Sequence, residues 1–231
     1  MKTINFNEEG GICVKLHGIA RIYPFVQKNF DNEELEVVWR WDARGTPEGG
    51  EFYDFFENIP RLKFVKESKN SFYYNGHGVG KYEKLGIPHE FDYSIIKPKQ
   101  EVLDILKTES DKLDNNYIAI HIRRTDLKQI KRGELDGGDY SMYHNLIDKH
   151  PDKNLYVASD NESDYERFFE KYKSSRKINQ NVNFLKTKYR RNTSALDAII
   201  DLYMCINAYD FCGTKFSSFS SYIRRNRGET F

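Results

Sequence analysis

The segment Tyr117–Ile122 is apolar along its length apart from His121 and the Tyr117 hydroxyl, and it stops at four polar residues, Arg123, Arg124, Thr125 and Asp126. Ile118, Ile120 and Ile122 alternate with Ala119 and His121, so a strand here offers apolar groups to both of its faces. That pattern belongs to a parallel strand covered on both sides. Parallel neighbours cannot be joined by a tight hairpin and need a crossover, usually a helix. The feature therefore commits the C-terminal half of the chain to βαβ units.

The remaining periodicities agree. After the strand at 117–122, the spacing predicts a helix over 140–149, a strand over 155–158, a helix over 162–172 and a short strand over 182–186. A helix over 193–207, a strand over 209–212 and a helix over 217–225 complete the half. Upstream, the pattern predicts a strand at 3–6, a helix over 12–26, a strand over 36–41, a short aromatic helix over 52–58 and a strand over 62–65. Residues 68–97 are punctuated by Asn70, Asn75, Gly76, Gly78, Gly80, Gly86 and Pro88 and are expected to form a long connection. Pro98 is expected to open a helix that carries Val102, Leu103, Ile105, Leu106 and Leu113 on one face. Strands alternating with helices make the fold class α/β. The division falls near residue 97, giving an N-terminal domain over 1–97 and a C-terminal domain over 98–231.

Composition excludes several functions. The formal net charge is +1, and the basic residues come in short pairs such as Arg123–Arg124, Arg190–Arg191 and Arg224–Arg225, which suit a compact anion rather than a nucleic acid. Aromatic residues make up 15%, which argues against a disordered chain. No apolar run reaches the roughly 20 residues that span a bilayer. Cys13, Cys205 and Cys212 are too few and too scattered for a disulfide framework or a CxxC zinc site. With no secretory pattern at the N-terminus, a cytoplasmic location is expected. Phosphate-loop, dinucleotide, zinc-protease and nucleophile-elbow motifs are missing, and Asp160–Asn161–Glu162 is a poor imitation of an acidic metal-holding element, so no metal and no cofactor are expected.

Four places carry chemistry. Arg123 and Arg124 follow a strand that ends at the sheet edge where α/β proteins bind ligands. Two forked, permanent cations suit a diphosphate, with Asp126 pinning one of them; a solvated Arg–Asp pair is the plain alternative. His121 by itself is as well explained as a core histidine. The run Gly213–Ser221 puts Ser217, Ser218 and Ser220 at a strand–helix junction, which is either a serine-rich helix cap or an anion site made of backbone N–H groups and hydroxyls. Asp197 and Asp201 lie one turn apart on a helix, as a solvated face or, for Asp201, as an acceptor for a guanine edge. Asp160 ends the strand after Val157 and is either a helix cap or a donor-site residue.

In order, IHIRRTD, YVASDN and ALDAIIDLYMCINAYDFCGTKFSSFS resemble the fucosyltransferase superfamily of α-1,6-fucosyltransferases, nodulation fucosyltransferases and protein O-fucosyltransferases. The resemblance covers roughly 117–222, with a weaker echo in GGICVKLHGIARIY, EVVWRWD and FYDFFENI. It implies two Rossmann-like domains facing across a cleft, a compact GT-B-like arrangement. It also implies metal-free, inverting transfer of a sugar from a GDP-sugar, typically GDP-fucose, to a glycan or other hydroxyl acceptor. Carried over by position, Arg123 holds the β-phosphate and stabilises the leaving diphosphate, and Arg124 supports it. His121 and Asp201 contact the nucleoside, Ser217, Ser218, Phe219 and Ser220 wrap the phosphates, and Asp160 lies near the donor. The candidate base is Glu134, with Asp136 and Asp139 as rivals in the same loop. The first loop lacks the family's GxGNQ form, and Lys215 stands as an insertion before the serine turn. A transferase using another sugar nucleotide, or an inactive nucleotide-binding module, would keep many of the same residues.

Overall fold

Four parallel strands make the N-terminal sheet: β1 (Lys2–Phe6), β2 (Leu35–Val38), β3 (Leu62–Val65) and β4 (Tyr73–Tyr74), in the order β3–β2–β1–β4. The computed structural model of the chain describes residues 2–6, 11–30, 34–39, 50–66, 73–74, 87, 90–123, 140–180, 182, 184 and 193–229. These divide into two units, one ending at Gln100 and one beginning at Glu101.

In the first unit the helical spacing becomes α1 (Ile12–Asn29), which buries Leu16, Ile19, Ile22 and Val26. Pro24 lies inside this helix. A proline has no N–H to give the carbonyl four residues back, so Ala20 loses its helical donor. The Asp92 N–H takes that place, donating to Ala20 O at 2.8 Å. The helix thus tolerates its proline because a neighbouring segment, leading into a 3-10 turn at Tyr93–Ile95, docks on the freed carbonyl. The strand expected over 36–41 ends at Val38, and Trp39 packs edge-on against Phe52, 5.3 Å between ring centroids. Phe52 belongs to the short helix α2 (Phe52–Phe55) and stacks on Phe64 of β3 at 3.6 Å.

Pro98 does not open the next helix. The Glu57 N–H donates to Lys97 O and the Lys99 N–H to Phe55 O, so Pro98 sits in an antiparallel bridge opposite Phe56, where its missing N–H is not needed. Helix α3 (Gln100–Lys112) starts two residues later. It buries Val102 and Leu106, with Leu113 just beyond, while Leu103 and Ile105 point outward, because steps of about 100° place those two on opposite flanks of the buried line.

In the second unit, all six residues of β5 (Tyr117–Ile122) are buried, as expected of a strand covered on both faces. The chain continues through α4 (Ser141–Lys149), β6 (Asn154–Ser159), α5 (Glu162–Tyr172), α6 (Ala195–Asn207), β7 (Phe211–Gly213) and α7 (Ser218–Asn226). The sheet order is β6–β5–β7, all parallel, with Ile122 opposite Ser159 and His121 opposite Gly213. Ile118, Ile120 and Ile122 pack with Tyr143 and Ile147 of α4 and Phe168 and Tyr172 of α5. Towards α6, Tyr117 donates its hydroxyl proton to Met204 O at 3.1 Å. That buried phenol is pushed up to about 12, first by burial. Helix α6 starts at Ala195, not Thr193, because Ser194 and Asp197 form a reciprocal capping box. Asp197 is therefore a cap, favourable at the positive end of the helix.

Val182 and Phe184 lie outside any strand, and the rest of the strand expected over 182–186 lies outside the described residues. The free edge of β6 is met instead by residues 177–179: Ile178 bridges Leu155, and the Asn179 side chain continues the ladder. Its Oδ1 accepts from the Val157 N–H at 2.8 Å and its Nδ2 donates to Val157 O at 3.2 Å. One carboxamide stands in for a peptide group. Asn179→Ala leaves both Val157 groups buried without these partners, at about 1–3 kcal/mol each. A fall of at least about 2 kcal/mol is expected from urea unfolding, with no effect at the opposite side of the sheet.

Candidate functional site

From β5 the chain passes through α4 to β6 on one side, then crosses back to β7 on the other. The two directions diverge at the carboxyl end of β5. In open α/β sheets, such a switch point leaves a crevice where ligands bind. His121 and Arg123 stand there from β5, Asp160 from the end of β6, and Thr214 with the Ser217–Ser220 turn from the end of β7.

His121 is 5% exposed. Its Nδ1 is hydrogen-bonded to Ser220 Oγ at 2.8 Å, and its ring stacks on Phe219 with 4.5 Å between centroids. The approach of α7 that allows this depends on Gly213. A Cβ at that position would lie 2.5 Å from Ser220 Oγ and 2.6 Å from the Phe211 ring. Ser217 is the N-cap of α7, its Oγ accepting from the Ser220 N–H. The turn into it, Thr214 to Ser217, carries Phe216 in the left-handed region at φ 61, with its side chain exposed.

At the tip of β5, the Arg123 N–H donates to Thr214 Oγ1 at 2.9 Å. Thr214 in turn returns its own N–H to His121 O at 3.0 Å. The Asp160 N–H donates to Ile122 O at 3.4 Å, which ties the end of β6 to the same point. The neighbouring Cys212 thiol is pushed up to about 11 by burial, so it stays neutral and is a poor nucleophile at ordinary pH.

His121, Arg123, Asp160, Ser217, Ser218, Phe219 and Ser220 thus meet at one sheet edge. Their side chains divide the work. Ser217 and Ser220 serve the cap and the histidine, and Phe219 is a buried stacking partner. That leaves Ser218 and the N–H groups of Ser218 and Phe219 at the start of α7, where a helix offers no intrahelical acceptor. The Asp201 Oδ1 accepts from the hydroxyl of Tyr156, a residue midway along β6, at 2.8 Å. The Tyr156 phenol is raised well above its ordinary value, first by burial and then by the Asp201 charge. Arg124, Asp126 and Glu134 lie outside the described residues. Among the described residues, no three His, Cys, Asp or Glu side chains cluster as metal ligands.

Three residues at the site escape a sequence reading: Gly213, Thr214 and Tyr143. The first two lie in the GTKFSSFSS run. Tyr143 has a weaker signal, a phenol on a helix face otherwise bound for the core, where its hydroxyl needs a partner.

No family model matches the sequence, and no curated relative matches it either. Among solved structures, the chain is similar to fucosyltransferase NodZ from Bradyrhizobium, at 10% identity and a TM-score of 0.61 over 97% of this chain and 93% of that one. It is similar to POFUT1 in complex with GDP, at 13% identity and a TM-score of 0.64 over 99% and 95%. It is also similar to POFUT1 in complex with GDP-fucose, at 12% identity and a TM-score of 0.62 over 99% and 95%.

The chain has the fold of these fucosyltransferases.

Within this fucosyltransferase fold, Gly213 is the residue whose size decides whether α7 reaches β5. Gly213→Ala is expected to displace Ser220 and break its bond to His121, at about 1–3 kcal/mol for overpacking. Thermal unfolding measures the loss, and a shifted His121 imidazole signal in NMR spectra reports the broken bond.

Proposed function

We propose that this chain is a glycosyltransferase that moves a sugar, fucose, from a GDP-sugar to a hydroxyl acceptor, with inversion and without a metal ion. The observation that carries the proposal is the junction of Arg123 with the Thr214–Ser220 turn at the switch point of a fucosyltransferase fold. POFUT1 in that fold is in complex with GDP-fucose.

The chemistry follows from charge. As the bond between sugar and diphosphate breaks, the sugar becomes cation-like and negative charge grows on the leaving oxygens. Arg123 supplies a permanent, forked cation there. The N-terminus of α7 supplies oriented N–H groups and a partial positive charge. The backbone of Arg123 and the start of α7 are both anchored before the reaction, and groups set in advance are the condition for electrostatic catalysis. Together they do the work that a divalent ion does in other transferases. On the acceptor side Glu134 removes the hydroxyl proton, with Asp136 and Asp139 in the same stretch as its rivals; Arg124, next in sequence to Arg123, supplies a second cation, and Asp126 the carboxylate that pairs with one of the two.

Arg123→Ala is expected to lower sugar transfer by about 10²–10³ while the unfolding temperature stays unchanged. GDP release from GDP-fucose and transfer to an acceptor panel measure it. A folded variant with undiminished turnover would overturn the proposal.

One observation favours a second reading of which nucleotide the donor carries. Since Asp201 already accepts from Tyr156, its carboxylate has a structural job in tying α6 to β6. If it also reads guanine, Asp201→Asn weakens GDP binding by calorimetry and leaves the weaker UDP binding as it was. If its job is the Tyr156 bond alone, the variant binds both nucleotides as before; a natural chain that binds UDP as tightly as GDP would make a transferase for another sugar nucleotide the better description.

A further inference from the structure

We infer that Thr214 and Tyr143 are positioning residues for Arg123, holding the end of β5 through a pair of buried hydroxyls; the inference rests on the reading of Arg123 as the diphosphate-binding cation. The β5–β7 ladder runs out at this point: the Thr214 N–H donates to His121 O at 3.0 Å, and β7 has already ended at Gly213. The next donor on β5, the Arg123 N–H, is taken by a side chain, Thr214 Oγ1, at 2.9 Å. The same oxygen lies 3.1 Å from His121 O and 2.9 Å from the hydroxyl of Tyr143. Tyr143 comes from α4 and also reaches His121 O, at 3.2 Å.

A hydroxyl has one proton and two lone pairs. Thr214 Oγ1 meets that capacity when it donates to His121 O and accepts from the Arg123 N–H and the Tyr143 hydroxyl. In that arrangement the one Tyr143 proton goes to Thr214 rather than to His121 O, nothing is left over on Thr214 Oγ1 for a ligand, and this threonine acts through Arg123. Thr214 is 8% exposed and Tyr143 is 4% exposed, so water is a poor substitute for either hydroxyl. The consequence is mechanical. The backbone of Arg123 is fixed from β7 and from α4, two elements that meet β5 from different sides.

The test compares Thr214→Val, which keeps the shape and removes the hydroxyl, with Thr214→Ser, which keeps the hydroxyl, and with Tyr143→Phe. GDP release from GDP-fucose is followed for kcat and KM, with thermal unfolding and Arg123→Ala as controls. Thr214→Val is expected to lower kcat by about 10- to 100-fold with donor KM changed by less than about threefold, the mark of a misplaced catalytic group. Tyr143→Phe falls in the same direction by less, and Thr214→Ser stays within about threefold of the natural chain. Should Thr214→Val fail to fold, Tyr143→Phe carries the same comparison. Natural kcat in folded Thr214→Val and Tyr143→Phe overturns the inference, as does a Thr214→Ser loss as large as that of Thr214→Val. If Arg123→Ala itself keeps its turnover, the functional reading falls first; if only the latch variants do, the latch alone falls.

Discussion

A parallel strand bonded to neighbours on both sides and covered on both faces has no room for charge along its length, so its polar groups collect where it ends. β5 is in that position. Besides the Tyr117 hydroxyl, which bonds Met204 O, its one polar side chain is His121, which Ser220 bonds and Phe219 stacks on. The first charged side chain, Arg123, appears one residue past the last strand residue. The direction of the chain on either side of β5 then makes that end a crevice. The candidate site is thus a consequence of how the core is closed.

The hydroxyl groups at this edge are mostly occupied within the protein. Ser217 caps α7, Ser220 holds His121, and Thr214 and Tyr143 hold the end of β5. A serine-rich turn read from sequence looks like a set of ligand donors. In the folded chain, most of it is the frame that aims a few groups, chiefly Arg123 and the start of α7. The amino edge of the same sheet is finished differently. There Asp210 accepts from His150 at 2.8 Å and Lys149 at 3.0 Å. Burial raises the Asp210 carboxyl, but these two bonds and the Phe211 N–H outweigh it and hold the carboxyl below its ordinary range.

Much of the second unit was legible because its signals are local. Strand β5 and helix α5 have the bounds their periodicity predicts, and the other predicted elements here differ by a residue or two, the strand over 182–186 excepted. The misses share one cause, which is partners distant in sequence. Asn179 completes β6 from a loop, and Asp92 repairs the carbonyl freed by Pro24. Pro98 pairs with the segment after α2 before α3 begins. Thr214 and Tyr143 meet across 71 residues, and no spacing rule within one element reveals such a pair. Asp197 is different. Its capping box is written in the sequence as Ser194 followed by Asp197, so a local rule could have found the cap where the spacing with Asp201 suggested a solvated helix face.

What the sequence determined by itself was the kind of sheet and the edge at which charge emerges, because side-chain alternation and the halt at Arg123 are properties of one strand. It also carried the likeness to fucosyltransferases, which the fold bears out at 10–13% identity. Only the tertiary structure decided which hydroxyls serve the frame, that Gly213 must stay small for α7 to close on β5, and that Asp201 leans on Tyr156. Those outcomes depend on three-dimensional distances of a few ångströms between remote segments, and a hydrogen bond is made or lost over less than that.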